Sequence, residues 1–87
     1  MNKKEKTRYY IKTPYESWAS RSTLKECVRD FKSYIKCGID SEDENVKQEA
    51  EKYARYIKQG KVKVIEVTII GDQIKEEVYE TIKRVEE

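Results

Sequence analysis

Residues 61–70 read KVKVIEVTII and lie between Gly60 and Gly71. Most of these residues are β-branched, and such side chains are stiff at χ1 and pack well on a pleated surface. The stretch therefore predicts a buried strand. No other run of the chain combines this apolar density with β-branching, so the remaining elements are expected to pack onto this strand, called here the central strand.

The apolar side of the central strand changes halfway along its length. Side chains two residues apart share a face of a strand, so Val62 and Val64 lie on one face. The apolar residues of the second half, Ile65, Val67 and Ile69, lie on the other face. Three arrangements explain this change: a β-bulge near Val64 and Ile65, a second half that the chain itself covers on both faces, or a second surface buried by another subunit.

The composition predicts a small single domain with a limited core. The chain has 87 residues, of which 41% are charged and 37% are hydrophobic. No apolar run approaches the roughly 20 residues of a membrane span, and the first residues, MNKKEKTR, lack a signal-peptide pattern. We therefore expect a cytoplasmic protein that makes no membrane contact. Because domains of this size often complete their burial by self-association, we also expect a homo-oligomer.

The cysteines and the missing histidine exclude several chemistries. Cys27 and Cys37 fall on one predicted helix, separated by about 15 Å along its axis, beyond the roughly 7 Å that a disulfide spans. Without histidine the chain lacks the Ser–His and Cys–His pairs of nucleophilic catalysis and the commonest general base. Two cysteines do not complete a four-ligand zinc site, and the isolated glycines form no phosphate loop. We expect no enzyme, no cofactor and no metal.

The N-terminal part of the chain predicts a tail, one strand and a loop. Residues 1–7, MNKKEKT, predict a flexible basic tail, and residues 8–87 are expected to form one domain. Residues 8–12, RYYIK, predict a short first strand. Pro14 ends this strand, because proline lacks the backbone N–H that strand pairing needs. It also biases the preceding residue, Thr13, towards an extended conformation. Residues 15–22, YESWASRS, show no sustained period and predict a loop across the fold.

Two helices are predicted before the central strand. Thr23 and Glu26 match a capping box, so a first helix begins there, and Gly38 is expected to end it in the left-handed conformation. A second capping box spans residues 41–44, SEDE. The helix that follows is expected to end at Gly60. The short connection between the two helices predicts a helical hairpin.

The segment after the central strand allows two interpretations. Ile74, Val78 and Ile82 recur at a spacing of four residues, which favours a helix over residues 73–86. The Gly-Asp pair at residues 71–72 is also typical of a hairpin that leads into another strand. With the helix, the fold class is α+β in the order β-α-α-β-α, with a short two-stranded sheet packed by helices. Since two strands are marginal alone, we expect oligomerisation to complete the sheet.

Basic and aromatic residues are interleaved near the N-terminus and are the strongest indication of a binding site. Such residues stack on bases and neutralise phosphates, and they are also enriched at protein interface hot spots. The pattern does not separate these two kinds of partner, and aromatic rings that simply roof the core explain it as well. The candidate partner-binding residues are Arg8, Tyr10, Lys12, Tyr15, Trp18 and Arg21.

The expected function is stoichiometric binding of a protein or a small ligand by a non-catalytic protein. The short length and the composition rich in lysine, glutamate, tyrosine and isoleucine are in keeping with accessory or inhibitor proteins of phages and mobile elements. The alternative is a module that binds nucleic acid or a nucleotide through the basic aromatic N-terminal region.

Overall fold

The computed structural model describes residues 5–85 and contains one antiparallel sheet with two helices on one of its faces. The sheet has four strands in the spatial order β2-β1-β3-β4. The central strand of the sequence is β3, and it pairs with the first strand as predicted. In chain order the elements are β1 (Glu5–Lys12), β2 (Ser17–Arg21), α1 (Leu24–Ile39), α2 (Glu44–Lys58), β3 (Lys63–Ile70) and β4 (Gln73–Thr81).

The α+β class is confirmed, but the predicted order β-α-α-β-α and the two-stranded sheet are wrong. The order is β-β-α-α-β-β and the sheet has four strands. Residues 17–21, predicted as loop, form β2 because they pair with β1. β1 also begins at Glu5, so three residues of the expected tail are strand. The prediction of a flexible tail for residues 1–4 lies outside the described residues.

The segment predicted as a C-terminal helix forms β4 instead. Gly71 and Asp72 make a two-residue loop, with Gly71 at φ 59°, and glycine at this first loop position is typical of type II′ hairpins. The spacing of four residues between Ile74 and Val78 did not distinguish a helix from a strand, because it fits both. Residues four apart share a face of a strand as well as a stripe of a helix.

The core lies between the helices and one end of the sheet. From the sheet side, Ile11, Val64 and Ile82 point into it, and Val62 joins them just before β3. Each helix turns one apolar side towards the sheet. The buried hydrophobic side chains on the helices are those of Cys27, Phe31, Ile35, Ala50, Tyr53 and Ile57.

The far half of the sheet extends beyond the helices. The molecule measures 53 × 24 × 22 Å along its principal axes, and α1 packs on β1 and β2 while α2 packs on α1. Residues 5–8, 67–70 and 73–77 form a three-stranded projection, called here the arm. The arm gives β3 two different environments along its length, one beside the core and one outside it.

The predicted change of apolar face along β3 coincides with this transition. Val64 is fully buried towards the helices, whereas Ile65, Val67 and Ile69 point to the opposite face. β3 keeps an uninterrupted register with β1, so β3 itself carries no bulge. The irregularity predicted at Val64 and Ile65 is present in the partner strand, where Tyr79 is the extra residue of β4. Alternation along a straight β3 produces the change of face.

The helix ends are only partly as predicted. Thr23 caps α1, and its hydroxyl oxygen accepts from the Glu26 N–H at 3.2 Å. The cap of α2 is Asp43 and not Ser41, because the Asp43 carboxylate accepts from the N–H groups of Asn45 and Val46. Gly60 follows α2 with φ 72°, as expected for a glycine that ends a helix.

Gly38 has a different role from the one predicted. It lies inside α1, it is buried, and its φ is not positive. A Cβ atom added at Gly38 would lie 2.6 Å from the Cβ of Ala50 and 3.4 Å from the carbonyl oxygen of Val46. The glycine therefore allows α1 and α2 to approach closely, which a local sequence pattern does not reveal.

Replacing Gly38 with alanine is expected to destabilise the protein, although alanine is the better helix former by about 1 kcal/mol. The added methyl group separates the helices, and we expect a net loss of about 1–3 kcal/mol in the free energy of unfolding. Urea denaturation measures this loss. Ser33→Ala, on an exposed position of α1, is the matched control, and Gly38→Ala/Ala50→Gly should recover part of the loss. A Gly38→Ala variant as stable as the parent would contradict the close-approach role.

Candidate functional site

The sheet has one face packed by the helices and a second face, called here the open face, that no described helix covers. Alternation along β3 brings Ile65, Val67 and Ile69 to the open face. Two apolar residues of β4 lie on the same face, where Val78 is the partner of Ile65 and Ile74 is the partner of Ile69. These five apolar residues form a continuous apolar stripe.

The exposure of the apolar stripe increases from the middle of the sheet to its edge. Ile65 is only 6% exposed, because neighbouring strands flank it, and Val67 and Ile69 are half-buried. On the outer strand, Ile74 is 66% and Val78 is 58% exposed. Exposed apolar residues that adjoin one another and are bordered by charge mark interaction surfaces more often than isolated ones do.

A row of basic residues borders the apolar stripe on the β1 side. Alternation brings Lys6, Arg8 and Lys12 to the open face, where their partners on β3 are Ile69, Val67 and Lys63. Arg8 Nε donates to Ser20 Oγ at 2.9 Å, which fixes the guanidinium over β2. Three of the six predicted binding residues, Arg8, Tyr10 and Lys12, are thereby brought together on one surface. Lys6, Arg8 and Lys12 are called the basic row.

Tyr10 links the basic row to β4 across the apolar stripe. Its hydroxyl donates to a carboxylate oxygen of Glu76 at 2.5 Å. This hydrogen bond to a carboxylate, assisted by partial burial, raises the pKa of Tyr10 above its usual value of 10.0. The hydrogen bond also draws the Glu76 carboxylate inwards over β3, away from the outer edge of the sheet.

Trp18 and Arg21 lie on the opposite side of the sheet from Arg8, Tyr10 and Lys12. The half-buried Trp18 ring packs against the rings of Phe31 at 5.3 Å and Tyr34 at 5.7 Å between centroids. Arg21 lies over the Trp18 ring and pairs with Asp30 at 3.0 Å, and this hydrogen bond lowers the pKa of the Asp30 carboxyl. The structure places both residues in the roof of the core.

Tyr15 stands apart from both groups. It lies in the turn between β1 and β2, where its side chain is 86% exposed and its ring centroid lies 6.2 Å from that of Tyr56. The turn is closed by Thr13, whose N–H and hydroxyl both donate to the carbonyl oxygen of Glu16. The structure thus divides the six predicted residues among three places.

Two of the five residues of the apolar stripe were not expected there from the sequence. The apolar second half of β3 was recognised as a second surface, but Ile74 and Val78 were assigned to a helix. The Gly-Asp pair before them was the signal for a hairpin, and a hairpin places both residues beside β3 on the same face.

Glu16 connects the β1–β2 turn to α2. The Tyr53 hydroxyl donates to its carboxylate at 2.6 Å, and Lys52 Nζ lies 3.3 Å from the same oxygen. The hydrogen bond from Tyr53, followed by that from Lys52, lowers the pKa of the Glu16 carboxyl below 4.5. Burial, followed by the hydrogen bond to Glu16, raises the pKa of the Tyr53 hydroxyl.

Glu16→Gln is expected to destabilise the protein at neutral pH but not in acid. Because the folded-state pKa of Glu16 lies below the ordinary value of 4.5, its contribution is complete above that pH and is lost as the pH falls through the folded-state pKa. The Glu16 side chain is 44% exposed, so the difference at pH 7 should not exceed about 1 kcal/mol. Urea denaturation of parent and variant across the acid range tests this, and a difference that persists in strong acid would contradict it.

Comparison with known proteins does not identify a function for the chain. No helix within residues 5–85 is long and apolar enough to cross a membrane. The same part of the chain contains no cluster of three or more side chains that could hold a metal ion. No protein-family model, curated protein or solved structure matches the chain. The candidate functional site is the open face, with its apolar stripe and its basic row.

Proposed function

We propose that the chain is a non-catalytic binding protein that holds a partner protein on the open face in a stoichiometric complex. The observation that supports this proposal is the exposure of the apolar stripe, above all of Ile74 and Val78. An accessory or inhibitory role, as expected from the sequence, would be one outcome of such binding.

The apolar character of the stripe is specific to the open face. On the helix side of the arm, the same strands carry mostly polar residues, among them Thr7, Thr68, Lys75 and Glu77. Ile70, at the tip of β3, is an apolar exception and is 38% exposed. If exposure of the arm alone set its composition, both faces would be polar. A partner that covers only the open face explains the difference.

The charges on the open face indicate the chemistry of the partner. Lys6, Arg8 and Lys12 lie along one side of the apolar stripe, and Glu76 is engaged by Tyr10. A complementary surface has apolar side chains at its centre and carboxylates along the side that faces the basic row. The proposed partner is therefore an acidic protein surface with an apolar centre.

Nucleic acid is the second candidate, because the basic row and Tyr10 share one face. Single-stranded nucleic acid usually binds several aromatic rings beside its phosphates. On the open face, Tyr10 is the one aromatic residue that the register of the four described strands supplies, and its hydroxyl is bound to Glu76. The carboxylate opposes a phosphate backbone, and Trp18 faces the helices. These contacts favour the protein partner.

Two neighbouring isoleucines provide a matched test of the proposed surface. Ile69 lies on the open face and Ile70 on the helix side, and threonine at either position keeps the β-branch that strands prefer. Ile69→Thr should weaken partner binding roughly tenfold through lost apolar burial, whereas Ile70→Thr should not. The immobilised parent and variants are incubated with an extract of the source cells, and captured proteins are quantified by mass spectrometry.

Circular dichroism and urea denaturation establish that both variants are folded. Proteins retained equally by Ile69→Thr and Ile70→Thr would contradict binding through the open face. Anisotropy of labelled single-stranded DNA and RNA is expected to show no binding by the parent at low salt. Binding that falls steeply with ionic strength would replace the protein partner with nucleic acid.

A further inference from the structure

The outer edge of β4 has no partner strand among residues 5–85. β4 is the last strand of the sheet, and its first six residues pair with β3 without interruption. A two-residue loop is closed by a hydrogen-bonded pair, here Ile70 and Gln73, and such pairs alternate along an antiparallel ladder. The backbone N–H and C=O groups of Ile74, Glu76 and Val78 therefore point away from β3 and towards the free edge.

We propose that two copies of the chain pair antiparallel along their β4 edges, about a two-fold axis that passes beside Glu76. In this register, Ile74 of one copy lies opposite Val78 of the other, and Glu76 lies opposite its own equivalent. The outward-pointing backbone groups of all three residues then form hydrogen bonds with the same groups of the other copy. The interface is isologous, since each copy contributes the same segment.

The side chains on both faces of the sheet select this register. On the open face, Ile74 and Val78, the two most exposed residues of the apolar stripe, lie side by side across the edge and still project from the open face. On the helix side, Lys75 of each copy lies opposite Glu77 of the other. Moving the axis by one residue places Lys75 against Lys75 or Glu77 against Glu77, and sets an apolar residue against Glu76.

On the helix side, β4 carries charges of both signs beside the free edge. Glu77 lies directly opposite Glu66 of β3, so two carboxylates are neighbours there. Lys75 of the same strand lies 3.0 Å from Glu77, with both side chains largely exposed. A second copy places its Lys75 opposite Glu77 across the free edge, so each Glu77 carboxylate then has one lysine on its own strand and one on the partner strand.

The repulsion between the two Glu76 residues at the axis is limited by Tyr10. Its hydroxyl donates to the Glu76 carboxylate from the β1 side and draws the charge away from the edge. At the other end of β4, the extra residue Tyr79 interrupts the regular strand and limits the pairing to residues 74–78. The result is a sheet of eight strands, whose apolar stripe crosses both copies.

Single cysteines test the register directly, in a chain that carries Cys37→Ser and keeps the buried Cys27. With Glu76→Cys, the two thiols lie opposite each other with Cα atoms about 5.5 Å apart, within disulfide range. With Glu77→Cys, the equivalent atoms are offset by two residues and lie about 8 Å apart, too far for a bridge. Mild oxidation should give mostly covalent dimer with Glu76→Cys and mostly monomer with Glu77→Cys, as resolved by non-reducing electrophoresis.

Charge exchange provides a second test, measured by analytical ultracentrifugation. Lys75→Glu and Glu77→Lys should each weaken dimerisation roughly tenfold, because each sets like charges against each other twice. The double variant restores the opposite pairs and should recover the parent dissociation constant. Dimerisation involves the edge of β4, whereas Ile69→Thr alters β3. The dimer and the binding of a partner protein on the open face are therefore tested independently.

Three results would overturn the pairing. The first is a parent chain that stays monomeric up to about 1 mM, where the association free energy is only about 4 kcal/mol. The second is a disulfide that forms as readily at residue 77 as at residue 76. The third is a double charge variant that dimerises no better than either single variant.

Discussion

The eight-residue ladder between β1 and β3 is the constraint on which the rest of the structure depends. It runs from Glu5 and Ile70 to Lys12 and Lys63 without a shift in register. An uninterrupted ladder fixes which side chains share a face over its whole length, because a slip of one residue would exchange the two faces. Val64 thereby enters the core while Ile65, its neighbour, faces away from the helices. The basic row lies on the open face for the same reason.

The layer formed by the two helices is shorter than the sheet, so it covers only part of the sheet. α1 and α2 bury the end of the sheet that holds Ile11, Val64 and Ile82, and they approach each other closely at Gly38. Beyond the helices, the arm is stabilised by backbone hydrogen bonds between its strands and by side-chain contacts between neighbouring strands. Strands without a covering layer gain little from apolar burial unless a partner supplies it. Both proposed interfaces, the open face and the β4 edge, lie on this part of the molecule.

Local patterns predicted those features that depend on neighbours in sequence. The β-branched run identified β3 and its change of face, and Thr23 identified the start of α1. β4 was not recognised, because its apolar spacing of four residues fits a strand and a helix equally well. The role of Gly38 was also missed, since it depends on Ala50 in another helix. Contacts between distant residues decide these cases, and a single sequence does not contain them.

The same division applies to the candidate site. Arg8, Tyr10 and Lys12 lie on one face because residues two apart in a strand share a face, and the strand was predicted correctly over those residues. Trp18 was selected for its residue type, but β2 turns it towards Phe31 and Tyr34. Ile74 and Val78 could be added only when β4 was known to lie beside β3. The composition of a surface therefore depends on strand neighbours that are far apart in the chain.

The passage of β3 from the core into the arm implies a gradient of local unfolding along one strand. Amide protons near Val64 are protected by the packed core, so their exchange with solvent deuterium requires opening of much of the molecule. Amide protons near Ile70 lie in a ladder that neither of the two described helices covers, and fraying of the Gly71 hairpin is enough to expose them. The arm can therefore open and close while the rest of the domain stays folded, and a ligand that binds the arm would be detected as slower exchange in that half of β3.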